Sequence, residues 1–224
     1  MLVSPYVDEN GEMTWLPGKR SQELPAVCIG KIDIPEQQKQ EDFTHSFVRD
    51  GNLLFVASPG FGKTVFLTTL LVSLALLSDV DDMNFYILDY GNSGLIPLKE
   101  LPHTAEYISL DDSERYWKFK KLMTEEMAAR KKMLARYAAP SAGVYGELSG
   151  TPLKTIIVAV DQFDAVRESG IEEEEFFTKL SRDGAGLGIY MAVAATRMNA
   201  IRQATLNNFK TRLAGYNYES EERR

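Results

Sequence analysis

The amino-acid sequence predicts an α/β protein with a mainly parallel sheet and helices on both of its faces. Four continuous apolar runs are typical of strands that are buried on both sides. Segments with helical periodicity separate these runs, and strands that alternate with helices imply parallel crossover connections. The four predicted strands span residues 52–57, 84–88, 155–160 and 188–194.

The predicted helices and turns lie between these strands in a regular order. A Gly/Pro turn follows the first strand and leads into a helix over 63–77, and a glycine loop follows the second strand. The strongest periodicity predicts a helix over 113–138, with Asp112 near its start, because apolar residues recur at spacings of three, four and seven. One face of this helix is predicted to carry Tyr116, Phe119, Met123, Met127, Leu134 and Tyr137.

The last third of the chain contains shorter predicted elements. Residues 140–152 are rich in Gly, Ser and Pro and are expected to form a loop. A further helix is expected to begin within 172–179, and another lies near 200–209. A last short strand is predicted over 212–216, which completes the alternation of strands and helices.

The first forty residues differ in composition from the rest. They are rich in Pro, Gly, Glu and Gln, and they predict an irregular lead-in with one or two edge strands. No internal repeat or low-complexity tract follows them. We therefore divide the chain into a lead-in over 1–40 and a single domain over 41–224.

The composition excludes several classes of protein. The 224 residues are 44% apolar, 10% aromatic and 25% charged, which is ordinary for a globular domain and excludes global disorder. Lys and Arg number 25 against 32 Asp and Glu, and a net charge of −7 disfavours binding to DNA or anionic membranes. The single Cys28 allows no internal disulfide, and no apolar run reaches the roughly 20 residues that span a bilayer. We expect a cytoplasmic protein.

Residues 57–64 contain a phosphate-loop motif. The general pattern is G-x-x-x-x-G-K-S/T, and only its first glycine is missing, since Ala57 takes that position. In such a loop backbone N–H groups surround the β-phosphate, which requires unhindered residues close to the anion. The ammonium of Lys63 is expected between the β- and γ-phosphates, and the hydroxyl of Thr64 is expected to bind Mg²⁺.

Two residues of the loop depart from the usual composition. Pro59 has no N–H to donate, and Phe61 adds bulk where small residues are more common. A Gly/Pro turn that happens to precede a lysine is the alternative, but the strand before the motif and the helix after it favour nucleotide binding. We expect ATP and Mg²⁺ to be held by Ser58, Pro59, Gly60, Phe61, Gly62, Lys63, Thr64 and Asp161.

Asp161 and Gln162 follow the third predicted strand. Asp161 stands where a ligand of Mg²⁺ or its water belongs, since the carboxyl ends of parallel strands share one edge of a sheet. Hydrolysing proteins of this broad class usually have Glu at the next position, whereas this chain has Gln162. An amide orients water but accepts no proton, and a general base is worth about 10² to 10⁴ in rate. We expect nucleotide binding with slow or absent hydrolysis.

Several other polar residues are weaker candidates. Arg197, after the fourth strand, is a candidate sensor of the γ-phosphate, and Arg212 is a candidate arginine finger for a neighbouring subunit. Single arginines of this kind are more often surface or interface cations than catalytic residues. Asp89 is a candidate either for an acid that hydrogen-bonds the ligands of Mg²⁺ without binding the ion itself, or for a turn cap. His45 and His103 have no partner at ligand spacing, so no metal site is expected there.

Four short motifs occur in order around the phosphate loop. They are I-D-I-P-E-Q-Q-K-Q at 32–40, the glycine loop after Asp89 that runs to L-P-H at 101–103, E-M-x-x-R at 126–130 and T-R-L at 211–213. Together these stretches resemble the ATPase modules of the FtsK/SpoIIIE family, and among these the EssC/EccC-type proteins of type VII secretion. The resemblance covers about residues 26–216.

The resemblance implies a P-loop NTPase of the RecA/FtsK-like fold. It implies a soluble module on the cytoplasmic side of a membrane-anchored motor whose chain carries several such modules in tandem. Motors of this kind assemble as homo-hexamers around an export channel and move WXG100-type helical-hairpin proteins, which they recognise through a C-terminal signal. Ala57, Pro59 and Gln162 depart from the catalytic pattern, which suggests a later, degenerate module in a fragment of a longer chain.

Three functions remain open at this point. The first is a nucleotide-binding module with weak or no hydrolysis that docks secreted substrates or regulates its neighbours. The second is a working ATPase motor, favoured by the intact Gly62, Lys63, Thr64 and Asp161. The third is a DNA translocase of the FtsK type, which the acidic charge and the lack of a basic segment disfavour. We expect no nucleic-acid partner.

Overall fold

Two short antiparallel strand pairs come first in the computed structural model, which describes residues 6–7, 13–14 and 26–218. The first pair joins β1 (Tyr6–Val7) to β2 (Met13–Thr14). The second pair is a hairpin of β3 (Val27–Ile34) and β4 (Lys39–His45). A 3-10 turn over Pro35–Gln37 connects the two strands of this hairpin.

The hairpin corrects the expectation of edge strands in the lead-in. β3 and β4 pair only with each other and lie outside the central sheet. Most residues of the two strands are polar or charged, and most of their side chains are exposed, whereas Val27 packs into the core. Residues 1–5, 8–12 and 15–25 lie outside the described residues, and the division at residue 40 stays a prediction.

Six strands form the central sheet, and every pair of neighbours in it is parallel. The strands are β5 (Leu53–Val56), β6 (Met83–Asp89), β7 (Thr104–Ser109), β8 (Thr155–Asp161), β9 (Ile189–Ala195) and β10 (Thr211–Ala214). Their order across the sheet is β10-β5-β9-β8-β6-β7. The predicted parallel sheet is therefore confirmed. β7 is the strand that the sequence analysis missed, because Thr104, Glu106 and Ser109 interrupt its apolar pattern at the sheet edge.

Of the helices in the described residues, the three longest lie where the sequence predicts helices: α2 (Lys63–Leu77), α3 (Ser113–Arg136) and α6 (Ile171–Asp183). The others are α1 (Phe47–Asp50), α4 (Ala142–Ser149), α5 (Asp164–Glu168) and α7 (Gln203–Leu206). Short 3-10 turns add Ile96–Glu100, Ala185–Leu187 and Met198–Ala200.

Two predictions about these segments were wrong. The expected loop over 140–152 contains α4, because Ser141 caps the first turn of this helix and Gly150 ends it with a positive φ of 70°. The same Ser and Gly made the segment look like a loop in the sequence. The helix expected near 200–209 is reduced to the single turn of α7.

The long helix α3 is held at its start and along one face. The carboxylate of Asp112 accepts a hydrogen bond from the backbone N–H of Arg115, as its capping position predicts. Of the apolar face, Tyr116 is partly buried, and Tyr137 does not belong to the buried set, since it lies at the end of α3 and is 46% exposed. Four members of the predicted face are buried: Phe119, Met123, Met127 and Leu134.

Helices cover both faces of the sheet, as predicted, and alternate strand residues feed two separate cores. In β8 the side chains of Ile156 and Val158 belong to the core under α3 and α6, whereas Ile157 and Ala159 belong to the core under α2. All seven residues of β8 are buried, because the strand lies inside the sheet between two helical layers. None of the helices in the described part of the chain is long and apolar enough to cross a membrane.

Candidate nucleotide-binding site

The loop between β5 and α2 has the conformation that an anion cradle requires. Gly60 and Gly62 have φ angles of 84° and 82°, in the left-handed region that favours glycine. No atom lies within 4 Å of a Cβ built on either residue, so the space above the loop is open. Gly62 precedes α2, whose first turn contains no acidic residue and no capping side chain. The positive end of this helix is therefore available to phosphate oxygens.

Thr64 and Asp161 meet at the carboxyl edge of the sheet. The Thr64 hydroxyl donates a 2.6 Å hydrogen bond to Oδ2 of Asp161, and Oδ1 of Asp161 accepts one from the backbone N–H of Gln162. Asp161 is 2% exposed, and this burial raises the pKa of its carboxyl, while the hydrogen bond from Thr64 acts in the opposite direction.

The oxygen atoms of this pair fit a magnesium ion bound together with a nucleotide. Mg²⁺ is usually held by one or two protein oxygens, with waters and substrate phosphates completing its coordination. A hydroxyl and a carboxylate in contact provide that number of protein oxygens. No group of three His, Cys, Asp or Glu within residues 26–218 is placed to hold a metal ion by itself.

Lys63 lies under the loop and contacts its backbone. Its Nζ donates a 2.8 Å hydrogen bond to the carbonyl of Ala57, and the residue is buried. Burial lowers the pKa of Lys63, whereas the carboxylates of Asp161 and Asp164 raise it. The ammonium therefore lies inside the loop and needs only to exchange a carbonyl oxygen for phosphate oxygens.

Ala57, which replaces the first glycine of the motif, is accommodated by Gly215. Ala57 is fully buried between neighbouring strand ends. A Cβ added to Gly215 would lie 2.9 Å from the Cβ of Ala57, which is closer than real Cβ contacts. The space for the methyl group of Ala57 is thus provided by a glycine directly after β10, on the neighbouring chain segment. The sequence analysis missed this relationship, because the two positions become neighbours only through the sheet.

A second loop, over residues 90–95, closes against Thr64. The buried carboxylate of Asp89 accepts hydrogen bonds from the N–H groups of Gly91 and Leu95, at 3.1 and 2.9 Å, and from the Tyr107 hydroxyl at 2.9 Å. Burial and this contact raise the pKa of Tyr107 to about 12. Asp89 is thus a turn cap in this structure. It fixes the loop so tightly that a Cβ on Gly94 would lie 2.7 Å from Cγ2 of Thr64.

Gln162 lies between Asp161 and the second loop. Its φ of 53° is in the left-handed region, which non-glycine residues rarely adopt. Its amide nitrogen lies 3.2 Å from the position of a Cβ on Gly91. The side chain therefore lies beside Gly91, and Gln162 directly follows Asp161, where the sequence analysis expected a water-positioning residue.

The two candidate arginines occupy different surroundings. Arg197 is exposed after β9, and its backbone N–H contacts the Asp164 carboxylate at 3.4 Å. The guanidinium of Arg212 donates hydrogen bonds to the carbonyls of Phe209 and Leu206, at 3.0 and 2.8 Å. Arg212 therefore holds the end of α7 in this chain, and the proposed role of each arginine stays a prediction.

The remaining loop residues and the histidines complete the site predictions. Ser58 is buried, and Pro59 and Phe61 are exposed on the outer side of the loop. His45 and His103 are buried. The His45 ring packs against Phe47, and the His103 ring contacts the carbonyl of Ser78 at 3.0 Å.

Comparison with known families agrees with the geometry of the loop. Residues 19–160 match the family model described as FtsK/SpoIIIE. The chain belongs to the FtsK/SpoIIIE family. The resemblance stated from the four sequence motifs is therefore confirmed, and so is the P-loop NTPase fold.

Relatives within the FtsK/SpoIIIE family are type VII secretion proteins. The chain is 38% identical over 222 residues to the ESX secretion system protein EccC of Geobacillus thermodenitrificans, and 38% identical over 221 residues to YukB of Bacillus subtilis. Each alignment includes 99% of this chain but 15% of the relative's length. A solved structure of EssC ATPases 2 and 3 from Geobacillus thermodenitrificans superposes with a TM-score of 0.85 and 40% identity. The superposition includes 92% of this chain and 40% of the EssC chain.

Proposed function

We propose that this domain binds ATP with Mg²⁺ and hydrolyses it slowly or not at all, as an ATPase-type module of a type VII secretion motor. The observation that supports this function best is the hydrogen bond between Thr64 and Asp161, beside an open loop at the start of α2. That hydrogen bond brings together a hydroxyl and a carboxylate, which are the protein oxygens that Mg²⁺ takes beside the terminal phosphates of a nucleotide.

Four residues of the loop, together with Asp161, have proposed roles in binding. Gly60 and Gly62 let the backbone approach the phosphates, and Lys63 leaves the Ala57 carbonyl to contact phosphate oxygens. Thr64 and Asp161 hold Mg²⁺, which when bound neutralises charge on the phosphates. The nucleotide phosphates therefore lie along the positive end of α2.

Gln162 is the proposed reason for slow turnover. Its amide borders the space beside Asp161 and donates or accepts hydrogen bonds, so it orients a water molecule. It takes no proton from that water, and general-base help is worth about 10² to 10⁴ in rate. Arg197 is the proposed sensor of the γ-phosphate bound by this chain. Arg212 is the proposed arginine finger for the nucleotide of a neighbouring subunit. Arg212 must first release two carbonyls.

The cellular role that we propose follows the family. The module lies on the cytoplasmic side of the membrane in a longer chain with neighbouring ATPase modules, and that chain assembles as a homo-hexamer. It contributes to the recognition of WXG100-type secreted proteins or to the regulation of export. Similarity to EccC and YukB over 99% of this chain supports this role.

Two alternatives remain, and an observation bears on each of them. A working motor is favoured by the intact contact of Thr64 with Asp161 and by the buried Lys63. A DNA translocase is disfavoured by the net charge of −7, and a salt titration of DNA affinity separates it from the other two functions.

The nucleotide proposal is tested by calorimetry with ATP and Mg²⁺ on the wild type and on Lys63→Ala. We expect the wild type to bind and the variant to bind at least about tenfold more weakly, because a charged hydrogen bond to phosphate is worth about 1.5–3 kcal/mol. Lys179→Ala, an exposed position on α6, is the matched control and should bind as the wild type does. Lack of binding at millimolar ATP contradicts the proposal.

The substrate role requires a separate measurement. A C-terminal peptide of a WXG100-type protein, immobilised on a resin, should retain this domain, whereas a peptide with the same composition in scrambled order should not. Equal retention by the two peptides, or by neither, favours a scaffold or regulatory role in its place.

A further inference from the structure

Three aromatic side chains form an exposed group beside the phosphate loop. We call Phe61, Tyr216 and Tyr218 the aromatic cluster. The ring centroid of Phe61 lies 4.5 Å from that of Tyr216 and 5.7 Å from that of Tyr218, and the two tyrosine rings are 5.4 Å apart. The three residues are 40%, 48% and 71% exposed. Rings that served only to pack the core would be buried. These rings pack against one another, but their exposure leaves part of each side chain accessible to a ligand.

Hydrogen bonds fix the aromatic cluster to the phosphate loop. The backbone N–H of Ser58 donates to the carbonyl of Tyr216 at 2.9 Å, and the N–H of Tyr218 donates to Oγ of Ser58 at 3.1 Å. The Ser58 hydroxyl in turn donates to the side-chain oxygen of Asn217 at 3.3 Å. Residues 216–218 therefore keep a constant position relative to the loop.

The order of strands places the aromatic cluster at one end of the site. β10 lies on one side of β5, and β9 and then β8 lie on the other side. Asp161, at the end of β8, marks the side that receives Mg²⁺ and with it the β- and γ-phosphates. The ribose and base of a nucleoside triphosphate are at the opposite end of the molecule from its γ-phosphate. In an extended nucleotide they therefore lie on the side of the loop away from Asp161. The aromatic cluster follows β10 on that side.

We propose that the aromatic cluster is a stacking platform for the base of the bound nucleotide. This inference rests on the proposed function, since it needs a nucleotide whose phosphates lie on the loop. Every base presents a π-face, so stacking tolerates different bases and is strongest for the large rings of purines. Phe61, which looked like a defect of the motif, thereby gains a role, and ATP and GTP are expected to bind with similar affinity.

The test compares ATP with inorganic tripolyphosphate, which has the phosphates but no base. Both are titrated with Mg²⁺ into the wild type and into the double variant Tyr216→Ala, Tyr218→Ala, which leaves the residues of the phosphate loop unchanged. Removal of stacking rings should weaken ATP binding by about tenfold or more and leave tripolyphosphate binding unchanged. Tyr216→Phe and Tyr218→Phe, which keep the rings, should bind ATP as the wild type does. Tyr137→Ala, an exposed tyrosine at the far end of α3, is the control for loss of a surface ring.

Each other outcome overturns the platform. If the ring variants bind ATP normally, the base lies elsewhere while the phosphate loop stands. If they bind ATP and tripolyphosphate equally poorly, the rings shape the loop and do not contact a base. If the wild type binds neither compound, the nucleotide function fails together with the platform. Circular dichroism of each variant checks that it is folded, as expected for exposed side chains.

Discussion

The hydroxyl of Thr64 and the carboxylate of Asp161 are separated by 97 residues of chain and joined by a hydrogen bond of 2.6 Å. Thr64 lies in the first turn of α2 after β5, and Asp161 ends β8, with β9 between the two strands. The bond therefore spans a whole strand at the carboxyl edge of the sheet. It connects the phosphate loop to the acidic strand end before any ligand arrives.

Asp161→Asn should remove most of the Mg²⁺ dependence of nucleotide affinity. The amide still accepts the Thr64 hydrogen bond but has no charge, and loss of such a partner typically lowers metal affinity about 10- to 100-fold. Calorimetry with ATP in the presence and absence of Mg²⁺ measures the effect. Asp111→Asn, exposed in the turn before α3, should keep the wild-type dependence. Unchanged Mg²⁺ dependence in Asp161→Asn would remove Asp161 from the metal site.

Gln162→Glu should raise the rate of ATP hydrolysis in the assembled multi-module protein. A carboxylate at this position accepts a proton from water, which the amide does not, and full general-base help is about 10² to 10⁴. Phosphate release gives the rate, and Gln40→Glu, exposed in β4, controls for added charge. If turnover does not rise although an arginine from the adjacent subunit is present, Gln162 is not the defect.

Gly94→Ala should destabilise the second loop and weaken binding of Mg²⁺ with nucleotide. The new Cβ meets the methyl of Thr64 at 2.7 Å, and that methyl is held in place by the hydrogen bond from the same side chain to Asp161. Overpacking of this kind costs about 1–3 kcal/mol. Thr64→Ser in the same chain removes the methyl but keeps the hydroxyl, so it should restore stability. A double variant as unstable as Gly94→Ala contradicts the contact.

Gly215→Ala should destabilise the domain, and Ala57→Gly should recover part of the loss. The added Cβ lies 2.9 Å from Cβ of Ala57 and 3.0 Å from the ring of Phe55, so the second variant relieves only the first contact. We expect a loss of about 1–3 kcal/mol in the free energy of unfolding, measured by urea denaturation. A double-mutant cycle gives the coupling between the two positions, and zero coupling argues that they do not touch.

The stability contributed by Asp183 should fall in acid. Hydrogen bonds from Arg182 and Lys131 lower the pKa of Asp183 from 3.8 to about 2. The unfolded chain therefore binds the proton first, and the contribution is complete above pH 5 and declines as the pH falls from about 4 towards 2.

We estimate the contribution of Asp183 at about 1–2 kcal/mol, because its partners are exposed. The difference in unfolding free energy between wild type and Asp183→Asn should narrow by about half from pH 6 to pH 3. A constant difference across this range means that the charge of Asp183 is not responsible.

The sequence predicted the inner part of the fold and the central part of the site. Strands buried on both faces have continuous apolar runs, so β5, β6, β8 and β9 could be located directly. The phosphate loop is local in sequence, and the position of Asp161 follows from the parallel sheet. These predictions depend on patterns within a few residues, or on a topological rule.

Relationships between distant segments could not be predicted in the same way. The match of Ala57 with Gly215, the contact of Gly94 with Thr64 and the stacking of Phe61 on Tyr216 all require the register of separate strands. A glycine just after T-R-L was the available signal for the first of these, but a lone glycine has many roles.

Arg130 is another residue whose role appears only in the folded chain. Its ion pair with Glu126 follows from their spacing of one turn on α3. The guanidinium is also buried and donates to the carbonyls of Leu187 and Lys154, both at 2.8 Å, so it joins α3 to the starts of β8 and β9. In the sequence this arginine was visible only as part of the E-M-x-x-R motif, which gave no indication of burial.

Adjacent residues of β8 point to opposite layers, with Val158 in one core and Ala159 in the other. If the helices of one layer detach, one face of the sheet is exposed to water. The strands of that sheet also form the core under the other helical layer, so this core is weakened as well. We therefore expect the domain to denature in a single cooperative step, with the carboxyl edge intact until the whole sheet melts. A compound that occupies that edge binds only the native form and raises the melting temperature, by an amount that grows with the logarithm of its concentration relative to its Kd.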